Sequence, residues 1–137
     1  MVLELKTTDF KLGDWVYFSD VACKVIGLSK NSVTIDCSKF DQGGQGCADI
    51  VDIFPIPLTT ELLEKNRYVL IGNNGEYQRY RDDLIVRKIG DSSQFAVYLP
   101  CGNLDKEETV LLSIIDYVHQ LQHLLWTLEY ENNIIIQ

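Results

Sequence analysis

Two histidines, His119 and His123, lie four residues apart in a segment whose composition favours a helix. Side chains at this spacing project from the same side of a helix and can bind one zinc ion together. A zinc peptidase also needs a glutamate directly after the first histidine as general base, and Gln120, which cannot take a proton, occupies that position. The chain has no third histidine, and Glu129 and Glu131 lie beyond the next turn. The sequence therefore predicts two solvated or hydrogen-bonded histidines and no metal site.

The other nucleophiles and acids also lack the spacing of a catalytic site. Asp82 and Asp83 are neighbours whose side chains point apart in a strand or turn, and there is no G-x-S-x-G elbow. The glycine-rich stretch 41–47 lacks the Gly-Lys-Ser/Thr ending of a phosphate-binding loop and indicates a flexible hairpin tip. The cysteines form no C-x-x-C pair, so we expect reduced thiols packed among apolar neighbours: Cys23, Cys37, Cys47 and Cys101. We predict no catalytic residue and no cofactor, with an enzyme of unrecognised site as one alternative.

The charge balance disfavours nucleic acid as a partner. The 137 residues carry 20 acidic and 12 basic side chains, a net charge of -8, which repels phosphate backbones. Glu76, Asp82 and Asp83 interrupt the one region in which basic residues gather. The basic residues of that region are Arg67, Arg79, Arg81, Arg87 and Lys88. A nucleic-acid-associated module that uses a small N-terminal β barrel, with Arg79, Arg81, Arg87 and Lys88 as a local basic stripe, remains a second alternative.

Composition predicts an ordered protein of one domain or two very small ones. Hydrophobic residues make up 46% of the chain and charged residues 23%. We find no charged-then-apolar segment at the start and no apolar run long enough to span a bilayer. We therefore expect a soluble, cytoplasmic protein that does not act at a membrane.

The first third of the chain alternates short strand-like runs with turn signals. The turn signals are "LGD", then "SD" at Ser19–Asp20, then "SKNS". Trp15, Tyr17, Val21 and Val25 are β-formers, and "SVTIDC" continues the pattern after the last turn. This pattern predicts a small antiparallel barrel or a curled sheet. The stretch "GDWVYF" resembles the first core strand of SH3-like barrels, which begin with a Gly-Asp turn and an aromatic or β-branched strand.

The remainder of the chain predicts two helices that flank a β meander. Thr59 or Thr60 is a candidate cap for a short helix at about 60–66, and strands and turns alternate over 67–100. A strand at 109–115 follows, and Asp116 is the expected N-cap of a C-terminal helix. Beyond the turn signal Asn132–Asn133 we expect a last strand or an extended tail.

A helical wheel of the C-terminal segment separates two faces. The predicted core face is apolar and consists of Tyr117, Val118, Leu121, Leu124, Leu125 and Leu128. The opposite face is the candidate interaction face and consists of His119, Gln122, His123, Trp126 and Tyr130. Exposed aromatic area favours a protein–protein contact. Two other interpretations stay open. His119 and Gln122 serve structure by capping or by bridging to the Pro-Leu-Thr segment at 57–59, or the whole face is buried by the N-terminal sheet.

Three motifs, "LGDWVYF", "PIPLTTELLEKN" and "YVHQLQHLLWTLEYENNI", resemble in the same order an uncharacterised family of small proteins of Bacteroides and related gut Bacteroidetes. The genes of that family often lie in phage or prophage regions. The matching positions are Gly13, Val16 and Tyr17, then Pro55, Pro57, Leu58 and Thr59, and finally Val118, His119, Leu121, Gln122 and Leu124. The chain departs from the family at His123, where asparagine is usual. The resemblance thus implies a genomic setting, and it implies that paired histidines do not define the group.

These observations predict an α+β protein with a β-barrel-like subdomain at 1–54 and an α+β subdomain at 55–137. The alternative is that both parts form one compact unit. The leading hypothesis is a non-enzymatic phage or mobile-element accessory protein that acts through contact with a protein partner. A homo-oligomer is compatible with the sequence.

Overall fold

The computed structural model of the chain describes residues 6–36, 45–71, 76–79, 84–100, 109–130 and 134–136. Across these residues the fold has two antiparallel five-stranded sheets and two α-helices, which confirms the predicted α+β class. The chain divides into two compact units, Met1–Ile56 and Pro57–Gln137. In the described segments, neither helix is long and apolar enough to cross a membrane.

The first unit is built on one sheet. Its strands are β1 (Trp15–Phe18), β2 (Val21–Leu28), β3 (Ser32–Asp36), β4 (Gln45–Asp49) and β5 (Ile53–Pro55), and short 3-10 helices cover Thr7–Asp9 and Ile50–Asp52. The sheet has the order β4-β3-β2-β1-β5 with every neighbouring pair antiparallel. Over the described residues it is an open sheet with β4 and β5 at its edges, and no closed barrel forms.

Alternation along the strands separates a buried face from an outer face in this sheet. The buried face holds Val16, Cys23, Val25, Val33 and Ile35. The β1–β2 turn fits the sequence signal, because Ser19 and Asp20 both have positive φ, as the central residues of a type I′ hairpin turn do. Phe18 therefore pairs directly with Val21, and the register is set for the rest of the hairpin.

The hairpin tip predicted at 41–47 is wrong for its last residues. β4 begins at Gln45, and Gly46 and Cys47 pair with Ile35 and Thr34 of β3. The ladder hydrogen bonds outweigh the weak strand preference of glycine. Residues 41–44 lie outside the described part of the chain, as do Cys37 and Cys101.

The second unit follows the predicted order of elements. It contains α1 (Thr60–Lys65), β6 (Tyr68–Ile71), β7 (Glu76–Arg79), β8 (Ile85–Lys88), β9 (Phe95–Pro100), β10 (Thr109–Ile115) and α2 (Val118–Thr127). The strands form a sequential antiparallel meander, β10-β9-β8-β7-β6, which confirms the predicted meander and the strand at 109–115. Asp82 and Asp83 lie outside the described residues.

One of the two predicted helix caps is confirmed. The Thr59 hydroxyl accepts a hydrogen bond from the Leu62 N–H at 3.2 Å and caps α1. Asp116 is not the N-cap of α2, because Tyr117 holds that position with an extended backbone. Two backbone N–H groups just before α2 are instead bonded by a side chain from inside the helix: Gln120 Oε1 accepts from Asp116 N at 2.7 Å and from Tyr117 N at 3.1 Å.

Residues 134–136 form the extended tail that the sequence suggested, without regular secondary structure. Asn66, at the end of α1, holds this tail. Its Oδ1 accepts from the Ile135 N–H at 2.6 Å, and its Nδ2 donates to the Ile135 carbonyl at 2.9 Å. The paired bonds imitate one step of a β ladder, and Ile134 beside them is buried. Asn132 and Asn133 lie outside the described residues.

Candidate functional site

The candidate interaction face on α2 is smaller than the sequence predicted. His119 and Gln122 are buried, with 4% and 5% of their surface exposed. His123 and Tyr130 are half-buried, and Trp126 is 59% exposed. The accessible part of the predicted face therefore consists of His123, Trp126 and Tyr130, which we call the Trp126 face. Burial of His119 and Gln122 agrees with the structural reading that the sequence left open for them.

The buried stripe of α2 explains this difference. Val118, Leu121, Gln122 and Leu125 follow the spacing i, i+3, i+4, i+7 and are all buried. Leu124 and Leu128, which the sequence assigned to the core, are only half-buried. Hydropathy placed Gln122 outside because an amide is polar, but the helical period places it inside. The stripe is therefore rotated from the one that hydropathy predicts.

The histidines pack as aromatic rings. The His119 ring stacks on Tyr117 with centroids 5.9 Å apart and an interplanar angle of 11°. His123 meets the His119 ring edge-on, at 5.5 Å and 73°. Among the described residues, no group of three or more histidines, cysteines, aspartates or glutamates is arranged to hold a metal ion. Gln120, at the position of the missing general base, is engaged with the helix start.

The Trp126 face lies where α2 ends. The Tyr130 N–H donates to the Leu125 carbonyl at 2.8 Å, and Glu129 has a positive φ of 61°, so the chain turns sharply after the helix. This turn places Tyr130 after the last helical turn, four residues beyond Trp126. A tryptophan that is 59% exposed presents roughly 100–150 Å² of largely apolar surface to solvent.

A second aromatic surface lies on the outer face of the sheet in the first unit. Trp15 and Tyr17 alternate with the buried Val16 on β1 and therefore share the outer face. Tyr17 pairs with Phe54 of β5, and Trp15 pairs with Lys24 of β2. We call Trp15, Tyr17 and Phe54 the aromatic platform. Trp15 and Tyr17 are half-buried, whereas Phe54 is 59% exposed.

A cation already lies on one ring of the platform. Lys24 Nζ is 5.2 Å from the centroid of the Trp15 ring, within the range of a cation–π interaction. The sequence identified Trp15 and Tyr17 as β-formers, and Tyr17 also as a position matched in the resembling family, but it did not identify Phe54. The pairing of β5 with β1 brings Phe54 beside Tyr17, and the only local signal for it was the alternation in "IFPI".

The described residues of the basic stripe suggested for nucleic-acid binding do not share one face of the sheet. Arg87 and Lys88 are consecutive on β8 and therefore point to opposite faces of the sheet. Arg87 lies 5.6 Å from the Tyr98 ring centroid, donates to the Tyr98 hydroxyl at 3.3 Å, and approaches Glu76 at 3.9 Å. Arg81 and the side chain of Arg79 lie outside the described part of the structure. These strands belong to the second unit, so the stripe is not part of the first sheet.

The two described cysteines occupy different environments. Cys23 is buried in the core of the first unit, as predicted for a packed thiol, and its thiol contacts the Val21 carbonyl at 3.5 Å. Cys47 is exposed on β4, with its sulfur 3.6 Å from the Ser32 hydroxyl. The prediction of packed thiols is therefore right for Cys23 and wrong for Cys47.

No protein-family model, no curated protein and no solved structure matches the chain. The two aromatic surfaces and the charge of the chain are the features that bear on its function.

Proposed function

We propose that the protein is a non-enzymatic accessory protein that works by binding a protein partner through the Trp126 face. The observation that supports this proposal is the 59% exposure of Trp126 at the end of α2, next to the half-buried His123 and Tyr130. Tryptophan and tyrosine are enriched at the residues that dominate binding energy in protein interfaces. A large aromatic surface of this kind is a candidate centre for such a contact.

The resemblance to the Bacteroides family supports a phage or mobile-element setting for this activity. The matched positions Val118, Leu121 and Gln122 are buried, so we assign them to folding of α2. Trp126 is not among the matched positions. We therefore propose that the matched residues build the helix and that the Trp126 face selects the partner of this particular chain.

We further propose that the first unit is an SH3-like module. Its strand order β4-β3-β2-β1-β5 and the 3-10 helix between β4 and β5 support this, because SH3-like folds pair their last strand with the first after such a turn. Modules of this size commonly recognise short segments of other proteins.

A competition experiment tests the role of the Trp126 face. Immobilised wild-type chain is incubated with lysate of phage-infected or uninfected Bacteroides cells, in the presence of excess soluble wild-type chain, Trp126→Ala or Val69→Ala. Val69 is a matched control because it is 57% exposed and lies in the same unit. We expect the wild type and Val69→Ala to compete for a captured partner and Trp126→Ala to fail. Equal competition by all three soluble chains contradicts the proposal.

A further inference from the structure

We propose that the aromatic platform binds an arginine side chain on an extended segment of a partner protein. The platform and the Trp126 face lie in different units of the chain, and this proposal does not rest on the proposed function of Trp126. It rests on the strand register that brings the three aromatic residues together, on the position of Lys24 and on the charge of the first unit.

The strand pairing places three aromatic side chains close together on one face of the sheet. Directly opposed residues on antiparallel strands have Cβ atoms about 4.5–5.5 Å apart, and Tyr17 and Phe54 are such a pair. Trp15 follows two residues from Tyr17 on the same face of β1. Three aromatic side chains thus lie together on a surface whose buried side is formed by Val16 and Ile53.

Lys24 shows that a ring of this platform accepts a cation. Its ammonium group lies over Trp15 at 5.2 Å, which leaves the outermost ring, Phe54, as the most accessible face for a second cation. A guanidinium group suits such a site better than an ammonium group because it is planar, weakly hydrated and stacks on aromatic rings.

The charge of the first unit favours a cationic ligand. Its described residues carry six aspartates and four lysines, and the unit contains no arginine. Asp36 and Asp49 are exposed and lie on the outer face of the sheet, because they alternate with the buried Ile35 and Ala48. An acidic surface attracts a basic segment and repels a nucleic-acid backbone, so an arginine-bearing protein segment fits better than a stacked base.

Lys24 is also a competitor for the site. Because it covers Trp15 and repels an incoming cation, its replacement by methionine uncovers a ring and removes a positive charge. Lys30→Met is the matched control, since Lys30 is an exposed lysine of the same unit and its loss changes the net charge equally. Phe54→Leu removes the ring and keeps an apolar side chain, and Val51→Ala is its control at an exposed position outside the platform.

The experiment follows the two indole N–H signals of the ¹⁵N-labelled full-length chain by NMR during titration with a blocked Gly-Arg-Gly-Arg-Gly peptide. The chain has two tryptophans, and Trp126→Phe assigns the signals. Parallel titrations use the same peptide with citrulline in place of arginine, an uncharged proline-rich peptide and a short oligothymidine.

We expect the arginine peptide to shift the Trp15 signal and to leave the Trp126 signal in place. Phe54→Leu should weaken binding about two- to fivefold and Lys24→Met should strengthen it about two- to fivefold, the range of a partly exposed cation–π contact. Val51→Ala should leave the affinity unchanged. Lys30→Met should strengthen binding less than Lys24→Met does.

Equal binding of the citrulline peptide, the proline-rich peptide or the oligonucleotide overturns the proposal. Equal effects of Lys24→Met and Lys30→Met, or no effect of Phe54→Leu, overturn it as well. A shift of the Trp126 signal alone would locate arginine binding on α2 and would also overturn it. The proposed function of the Trp126 face is judged separately by the lysate competition, so the two can fail independently.

Discussion

The two aromatic surfaces differ in how directly the sequence specifies them. On β1 and β5, alternation decides which side chains face outward: Val16 and Ile53 are buried, and their neighbours Tyr17 and Phe54 are on the outer face. On α2, the same question depends on which stripe of the helix is covered, and the polar residues His119 and Gln122 are inside. A strand has only two faces, so alternation leaves two choices. A helix can bury any stripe around its axis, so assigning a single polar residue such as Gln122 to the wrong side rotates the predicted buried stripe.

The largest expected effects on stability come from comparing a buried residue with its exposed neighbour, once in each unit. Leu125→Ala and Ile53→Ala should each lower the free energy of unfolding by about 2–5 kcal/mol, because each removes a buried aliphatic side chain and leaves a cavity. Trp126→Ala and Phe54→Ala should change it by less than about 1 kcal/mol, since both aromatic residues are mostly exposed. Denaturant unfolding with hydrogen exchange measures the change in each unit. A destabilisation by Trp126→Ala as large as that of Leu125→Ala would show that the assigned faces of α2 are wrong.

Gln122→Glu gives a sharper test of the buried stripe on α2. Placing a carboxylate at a position that is 5% exposed should cost about 1–3 kcal/mol at neutral pH, because the charge loses its hydration. The pKa of the introduced carboxyl should rise above its ordinary value, so the lost stability should return as the pH falls and the group is protonated. His123→Glu, on the half-buried side, is the control and should show a smaller loss. Equal losses in the two variants would contradict the buried assignment of Gln122.

A smaller effect is expected where α1 meets the sheet of the second unit. Burial raises the pKa of Tyr77, and its hydrogen bond to Glu64 at 3.1 Å and the negative charges of Glu64 and Glu61 raise it further. The unfolded chain therefore loses this proton at a lower pH than the folded chain. The contribution of Tyr77 to stability is complete below about pH 10 and falls as the pH rises from there through the folded pKa.

Tyr77→Phe should remove this part of the alkaline destabilisation and should cost about 0.5–1.5 kcal/mol near neutral pH through the lost hydrogen bond. Denaturant unfolding at pH 7 and at about pH 11 measures both effects. Tyr17→Phe, on the outer face of the other unit, is the comparison variant. If Tyr77→Phe leaves the alkaline slope unchanged, Tyr77 does not control that part of the stability.

Local signals in the sequence predicted most of the elements. The turn at Ser19–Asp20, the cap at Thr59 and the strand at 109–115 each depend on a few neighbouring residues, and the structure confirms them. The errors arose where a partner strand, or a choice between two nearby polar side chains, decides the outcome. Pairing with β3 turned part of the predicted glycine-rich loop into β4, and Gln120 replaced Asp116 as the group that satisfies the start of α2.

The candidate site was predictable only in part for the same reason. Trp126 could be identified because its exposure follows from the helical period and from the apolar residues beside it. Alternation assigns Phe54 to the outer face of its strand, but its place beside Tyr17 could not be predicted. That place depends on β5 returning to pair with β1, and the two strands lie far apart in sequence. The cation over Trp15 likewise depends on the β1–β2 register.

Site-specific photo-cross-linking tests the proposed function most directly. A photoreactive phenylalanine analogue is introduced at position 126 or, as a control, at position 69 of the full-length chain, and each protein is irradiated in lysate of phage-infected Bacteroides cells. The proposed function predicts a discrete adduct with one partner protein from position 126, absent from position 69 and suppressed by excess wild-type chain but not by Trp126→Ala. The same adducts from both positions, or suppression by Trp126→Ala as strong as by wild type, would contradict a partner bound through the Trp126 face.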